Sequence, residues 1–79
     1  MFDTIISVDP VEGGWAVHPQ IGESALFLSG GRAEAYARRL GEAFSKVGVA
    51  ALVRVHDRKG ELVGERHFSR IVKPLLIQS

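Results

Sequence analysis

The 79-residue chain contains no cysteine. A disulfide framework, a thiolate nucleophile and cysteine-ligated zinc are therefore excluded. Aromatic rings are scarce, with one Trp, one Tyr and four Phe, too few to build an extended stacking platform for unpaired bases. No apolar run approaches the ~18 residues that a membrane-spanning helix requires. The first 31 residues hold no Lys or Arg, and their charged side chains are Asp3, Asp9, Glu12 and Glu23. A start of Met1-Phe2-Asp3-Thr4 lacks the basic region of a signal peptide, so a soluble cytoplasmic protein with no membrane partner is expected.

What is present is an ordinary globular composition, 46% hydrophobic and 24% charged, with a net charge of +1. That small total hides a division. The first 31 residues carry −4, and the rest carries all ten basic residues against five acids. Such a chain suits self-association by charge complementarity, or contact of one basic face with an anionic partner.

One domain over residues 1–79 is expected, with a core in 4–68 and an apolar tail in 69–79. Thr4 to Val8 is β-rich and is expected to stop at Asp9-Pro10. Glu12-Gly13-Gly14 supplies a turn, Trp15 to His18 alternates as a second strand, and Ser24 to Leu28 forms a third. Arg32 to Val47 is the clearest helix, with Ala33, Tyr36, Ala37, Leu40, Phe44 and Val47 on one stripe. Ser29 is placed as its N-cap and Gly48 as its C′ glycine. Val49 to His56 and Glu61 to Phe68 are strands joined by Asp57-Arg58-Lys59-Gly60, with Gly60 in the left-handed position.

The fold class is thus α+β: an antiparallel sheet in the order strand-strand-strand-helix-strand-strand, with one helix on a face. Five strands at ~4.8 Å make a sheet roughly 20–25 Å wide, and one helix is ~10–12 Å across. The uncovered width, with the apolar tail residues Ile71, Val72, Leu75, Leu76 and Ile77, predicts a homodimer with an intersubunit sheet or swapped strands.

Pairing Asp57 with Glu61 sets Val55 opposite Val63 and Val53 opposite Glu65. His56 and His67 then fall on opposite faces and cannot share an ion, and His18 has no ligand spacing to either, so no metal site is expected. Ser7, Ser24, Ser29, Ser45 and Ser69 lie in no nucleophile-elbow sequence. Gly30-Gly31 precedes neither a dinucleotide fingerprint nor a P-loop. No catalytic residue and no cofactor is expected, and the chain reads as a non-enzymatic scaffold or interaction module.

The alternative is auxiliary nucleic-acid binding. The expected register makes Arg54 and Arg66 neighbours on the outward sheet face, with Arg58 and Lys59 at the hairpin tip, while Arg32, Arg39 and Lys46 share a helix stripe. Stripes of this kind contact phosphates. A sequence pI near 8.2 lies below the ~9 of a dedicated binder.

Glu12-Gly13-Gly14-Trp15-Ala16-Val17, Arg32-Ala33-Glu34-Ala35 at the helix start and the Asp57-Arg58-Lys59-Gly60 hairpin resemble a family of small bacterial proteins of unknown function with a GGWxV strand and an AEA helix start. Over residues 4–68 the arrangement is also similar to the YegP-like fold. That resemblance implies two units building one continuous sheet and exchanging C-terminal strands. It brings no catalytic residue. The linker from Pro19 to Ser24 is longer than the pattern, and the tail after Phe68 lies outside it.

Overall fold

A computed structural model describes residues 2–71. Five strands and one helix follow one another as β1 (Thr4–Val11), β2 (Gly14–Pro19), β3 (Ala25–Phe27), α1 (Gly30–Lys46), β4 (Ala51–His56) and β5 (Leu62–Phe68). They form one sheet of lateral order β3-β2-β1-β4-β5. The α+β class is as the sequence indicates, but the sheet is mixed. β1 and β4 run parallel, with Thr4 beside Ala51 and Val8 beside Val55; the other three pairings are antiparallel. The reason is the helical crossover: α1 carries the chain back along the sheet, so the strand that follows enters beside β1 in the same direction.

Alternation sorts β1 cleanly. Thr4, Ile6 and Val8 are fully buried under α1, while Ile5, Ser7 and Asp9 point to the opposite face. Val17 and Val53 join the buried side through the registers Val8–Val17 and Ile6–Val53. Strand β1 continues through Asp9-Pro10 to Val11 rather than stopping there. Its pairing with β4 has already ended at Val8, so Pro10 stands where the strand has one neighbour, an edge position that tolerates the missing N–H.

The helix is capped as its sequence demands. Ser29 Oγ accepts the N–H of Arg32 at 3.2 Å, and Gly48, at φ 84°, follows the C-cap Val47. Gly30 and Gly31 belong to its first turn. Its buried line is Ala33, Ala37, Gly41 and Ser45; Tyr36, Leu40 and Phe44 pack against the core from the flanks. Val47, expected on the apolar stripe, is 74% exposed. Small residues at every fourth position let the helix lie close to the sheet, and Phe68 fills the room over Gly41.

The β4–β5 hairpin corrects the expected register. Its turn is as read: Asp57 N–H donates to the Glu61 carbonyl at 2.9 Å, Asp57 Oδ1 accepts the N–H groups of Lys59 and Glu61, and Gly60 has φ 80°. His56 still faces Leu62, but Val55 faces Gly64, so Val63 is the extra residue of a bulge. From there to Phe68 every side chain is on the face opposite to the expected one. Val53 lies beside Arg66, Arg54 beside Glu65, and Ala51 beside Phe68.

Candidate functional site

The bulge decides where the charged residues of β5 go. Arg66 turns to the helix side, where its guanidinium sits 5.3 Å from the centre of the Phe68 ring. Arg54 remains on the uncovered face and approaches Glu65 at 3.4 Å. The two arginines are therefore not neighbours on one outward surface, and Arg54 spends its charge on a carboxylate. Arg58 reaches from the hairpin tip over the Trp15 ring at 5.7 Å, and Lys59 is exposed beside it. Arg32, Arg39 and Lys46 are exposed along α1. Most of the cations thus gather on the helix side.

The uncovered sheet face carries a row of polar groups. Ser7 Oγ donates to Asp9 Oδ2 at 2.6 Å, and Asp9 Oδ1 lies 2.9 Å from His56 Nδ1. Contrary to the sequence register, His56 and His67 share this face. His67 Nε2 lies 3.5 Å from Glu65, and its ring meets Phe2 edge-on at 4.9 Å. In the Ser7–Asp9–His56 set the carboxylate stands between hydroxyl and imidazole. A hydrolytic triad needs the imidazole between the other two, so this order does not activate Ser7. His18 Nδ1 and Ser24 Oγ are 2.8 Å apart in the open, and among the described residues no acid pairs with the ring. No group of three or more His, Asp or Glu converges as a metal site among the described residues.

The two most exposed large apolar side chains among the described residues are at the β3 edge. Leu26 is 75% and Leu28 90% exposed, and both line a groove of ≈ 210 Å³ with Val11, Trp15 and Phe27. The run Ala25 to Leu28 has apolar residues on both faces, and the structure leaves Leu26 and Leu28 as the ones in solvent. Of the tail residues expected at an interface, Ile71 is half-exposed and its N–H donates to the Ser45 carbonyl at 3.0 Å. Val72, Leu75, Leu76 and Ile77 lie outside the described residues.

A latch holds the end of β5 to the start of the chain. Arg70 Nη2 donates to Asp3 Oδ2 at 2.6 Å and Arg70 Nε to the Gly48 carbonyl at 3.1 Å. The Ala50 N–H also donates to Asp3, at 2.9 Å. That backbone donor first, and then the Arg70 guanidinium, hold the Asp3 carboxyl below the usual carboxylate range. Among the described residues no helix is long and apolar enough to cross a membrane. No family model, no curated protein and no solved structure matches this chain.

Proposed function

We propose that the protein is a self-associating, non-catalytic interaction module that works as a homodimer. The observation that carries this reading is the pair Leu26 and Leu28, 75% and 90% exposed beside an apolar groove. Covering such a patch removes apolar area from water at ~25 cal/mol per Å². The apolar residues Ile71, Val72, Leu75, Leu76 and Ile77 are the natural material to cover it from a second copy. Exchange of C-terminal segments, which the family resemblance implies, is one arrangement that would bring them there. Light scattering on the purified chain tests the reading. The expected mass is twice that of the monomer, falling to the monomer value in a Leu26→Glu plus Leu28→Glu variant with its circular dichroism intact. A folded monomer at about 100 μM, well above the Kd of a stable dimer, would refute it.

A second reading, auxiliary binding of nucleic acid, draws on the exposure of Arg32, Arg39 and Lys46 along α1. Phosphate contacts of this kind weaken steeply with salt. Retention of single-stranded DNA at ~0.05 M salt, lost in Arg39→Ala plus Lys46→Ala, is the expected result under that reading. No retention at that salt sinks it.

A further inference from the structure

We propose that the β5 edge, together with the groove between β5 and α1, binds an extended acidic peptide as a sixth strand. This surface is at the opposite edge of the sheet from Leu26 and Leu28, so it stands apart from self-association through that patch. β5 is the outermost strand on its side and runs for seven residues, against three in β3. Among the described residues no strand pairs with its outer side. A long edge of this kind offers unpaired N–H and C=O groups to an incoming chain.

The groove beside the edge gives that chain a composition. It holds ≈ 220 Å³, with Val53, Val55 and Gly64 as floor, Glu34 and Arg38 on the helix wall and Glu65 and Arg66 along β5; the Glu65 carboxylate is drawn to Arg54, at 3.4 Å. This is below the ~300–1,000 Å³ of a small-molecule pocket, and it suits one or two side chains of a strand. Gly64 and Arg66 face the helix, in step with Val55 and Val53. A strand added beside β5 presents every second side chain to the same face. The residue opposite Gly64 meets no side chain there and lies against Val55. The residue opposite Arg66 meets its guanidinium.

Charge settles the second position. Neither Arg38 nor Arg66 forms an ion pair with a described residue, and Glu34 is the one acid on the helix wall. With the Glu65 carboxylate held by Arg54, two guanidinium groups stand against the Glu34 carboxylate and favour an acidic residue, apolar and acidic side chains alternating on one face. An unpaired nucleic acid strand fits less well, because no aromatic ring lines the groove and base stacking has no platform there.

Fluorescence anisotropy of the full chain with a labelled, end-blocked peptide Thr-Val-Thr-Asp-Thr-Val-Thr tests this, with amide shifts to locate the contact. Saturable binding is expected, with shifts along Leu62–Phe68. Replacing the peptide's Asp by Lys, or the protein's Arg66→Gln or Arg38→Gln, weakens it about tenfold, the scale of one charged contact. Gly64→Val, whose Cβ has ordinary room at 3.7 Å from Val55, fills the floor and weakens binding without touching charge. The proposal is overturned by no saturation at about 1 mM peptide, by shifts on Ala25–Phe27 instead, or by equal binding of the Lys peptide. Displacement of the peptide by oligothymidylate would reassign the groove to nucleic acid, and binding seen only after removal of residues 72–79 would reassign it to the chain's own tail.

Discussion

The ring of Phe68 lies directly on Gly41: a Cβ at position 41 would stand 2.6 Å from Cδ2 and 2.8 Å from Cε2 of that ring. The last residue of β5 thus closes the core against the middle of α1, and only glycine leaves it the space. In an exposed helix interior, glycine to alanine gains ~1 kcal/mol. Here the ring must move, and overpacking of this kind costs about 1–3 kcal/mol. Gly41→Ala is expected to lower the urea midpoint. Combined with Phe68→Leu it should show a coupling of at least ~0.5 kcal/mol, since the two sites share one volume. Additive effects would mean the ring does not rest on Gly41.

The Val63 bulge sets the parity of everything after it. Removing Val63 closes the bulge with His56 still facing Leu62 and Val55 still facing Gly64, so each residue from Gly64 to Phe68 keeps its partner and its face. Phe68 stays in the core and Glu65 stays outside it. Deletion of Val63 is therefore expected to keep cooperative thermal unfolding, and Val63→Thr, at a position 61% exposed, shifts the melting midpoint by no more than a degree or two. Loss of cooperative unfolding in the deletion variant would contradict the bulged register.

What the sequence made legible follows from the range of each signal. Ser29, Gly48 and Gly60 act within a few residues, and their roles as N-cap, C′ glycine and left-handed turn residue were readable from composition alone. The parallel pairing of β1 with β4 joins residues about 47 positions apart, as in Asp3 with Ala50, and no local pattern announces it. Gly41 reads as a weak helix residue until Phe68 is placed on it. Val63 is an ordinary β-branched residue, so the bulge left no mark in the sequence, yet it separates Arg54 from Arg66 and brings His56 and His67 to one face. The cation stripe on α1 was legible because it depends on helical period alone.

Asp3 predicts a pH dependence of defined sign. Its pKa is lowered in the folded chain by the Ala50 N–H and Arg70, so the folded state favours the ionised form. The stabilisation is complete above the ordinary carboxylate value of ~3.9 and is lost as pH falls through the lowered value. Asp3→Asn should therefore melt below the wild type at pH 6, by an equal margin at pH 7. The gap should close as the pH is taken below ~4. A gap that grows on acidification would contradict the assignment.

Gly14 controls whether β3 can exist. A Cβ at this position would be driven into the Phe27 carbonyl oxygen, an atom of the β3 backbone that has nowhere to yield without breaking the pairing. The pairs Trp15–Phe27 and Ala16–Leu26 lie next to it. Gly14→Ala should therefore peel β3 from β2 while leaving β1, β4 and α1 in place, because an edge strand of three residues opens locally at little cost to the rest. Hydrogen exchange is expected to lose protection at Ala25–Phe27 and to keep it at Ile6, Val8 and Val53. Detaching β3 also dismantles the groove shared by Leu26, Leu28 and Trp15, so the same variant should fall to the monomer mass. Retention of the dimer with β3 unprotected would mean that the copies meet elsewhere, and would remove the observation on which self-association is proposed.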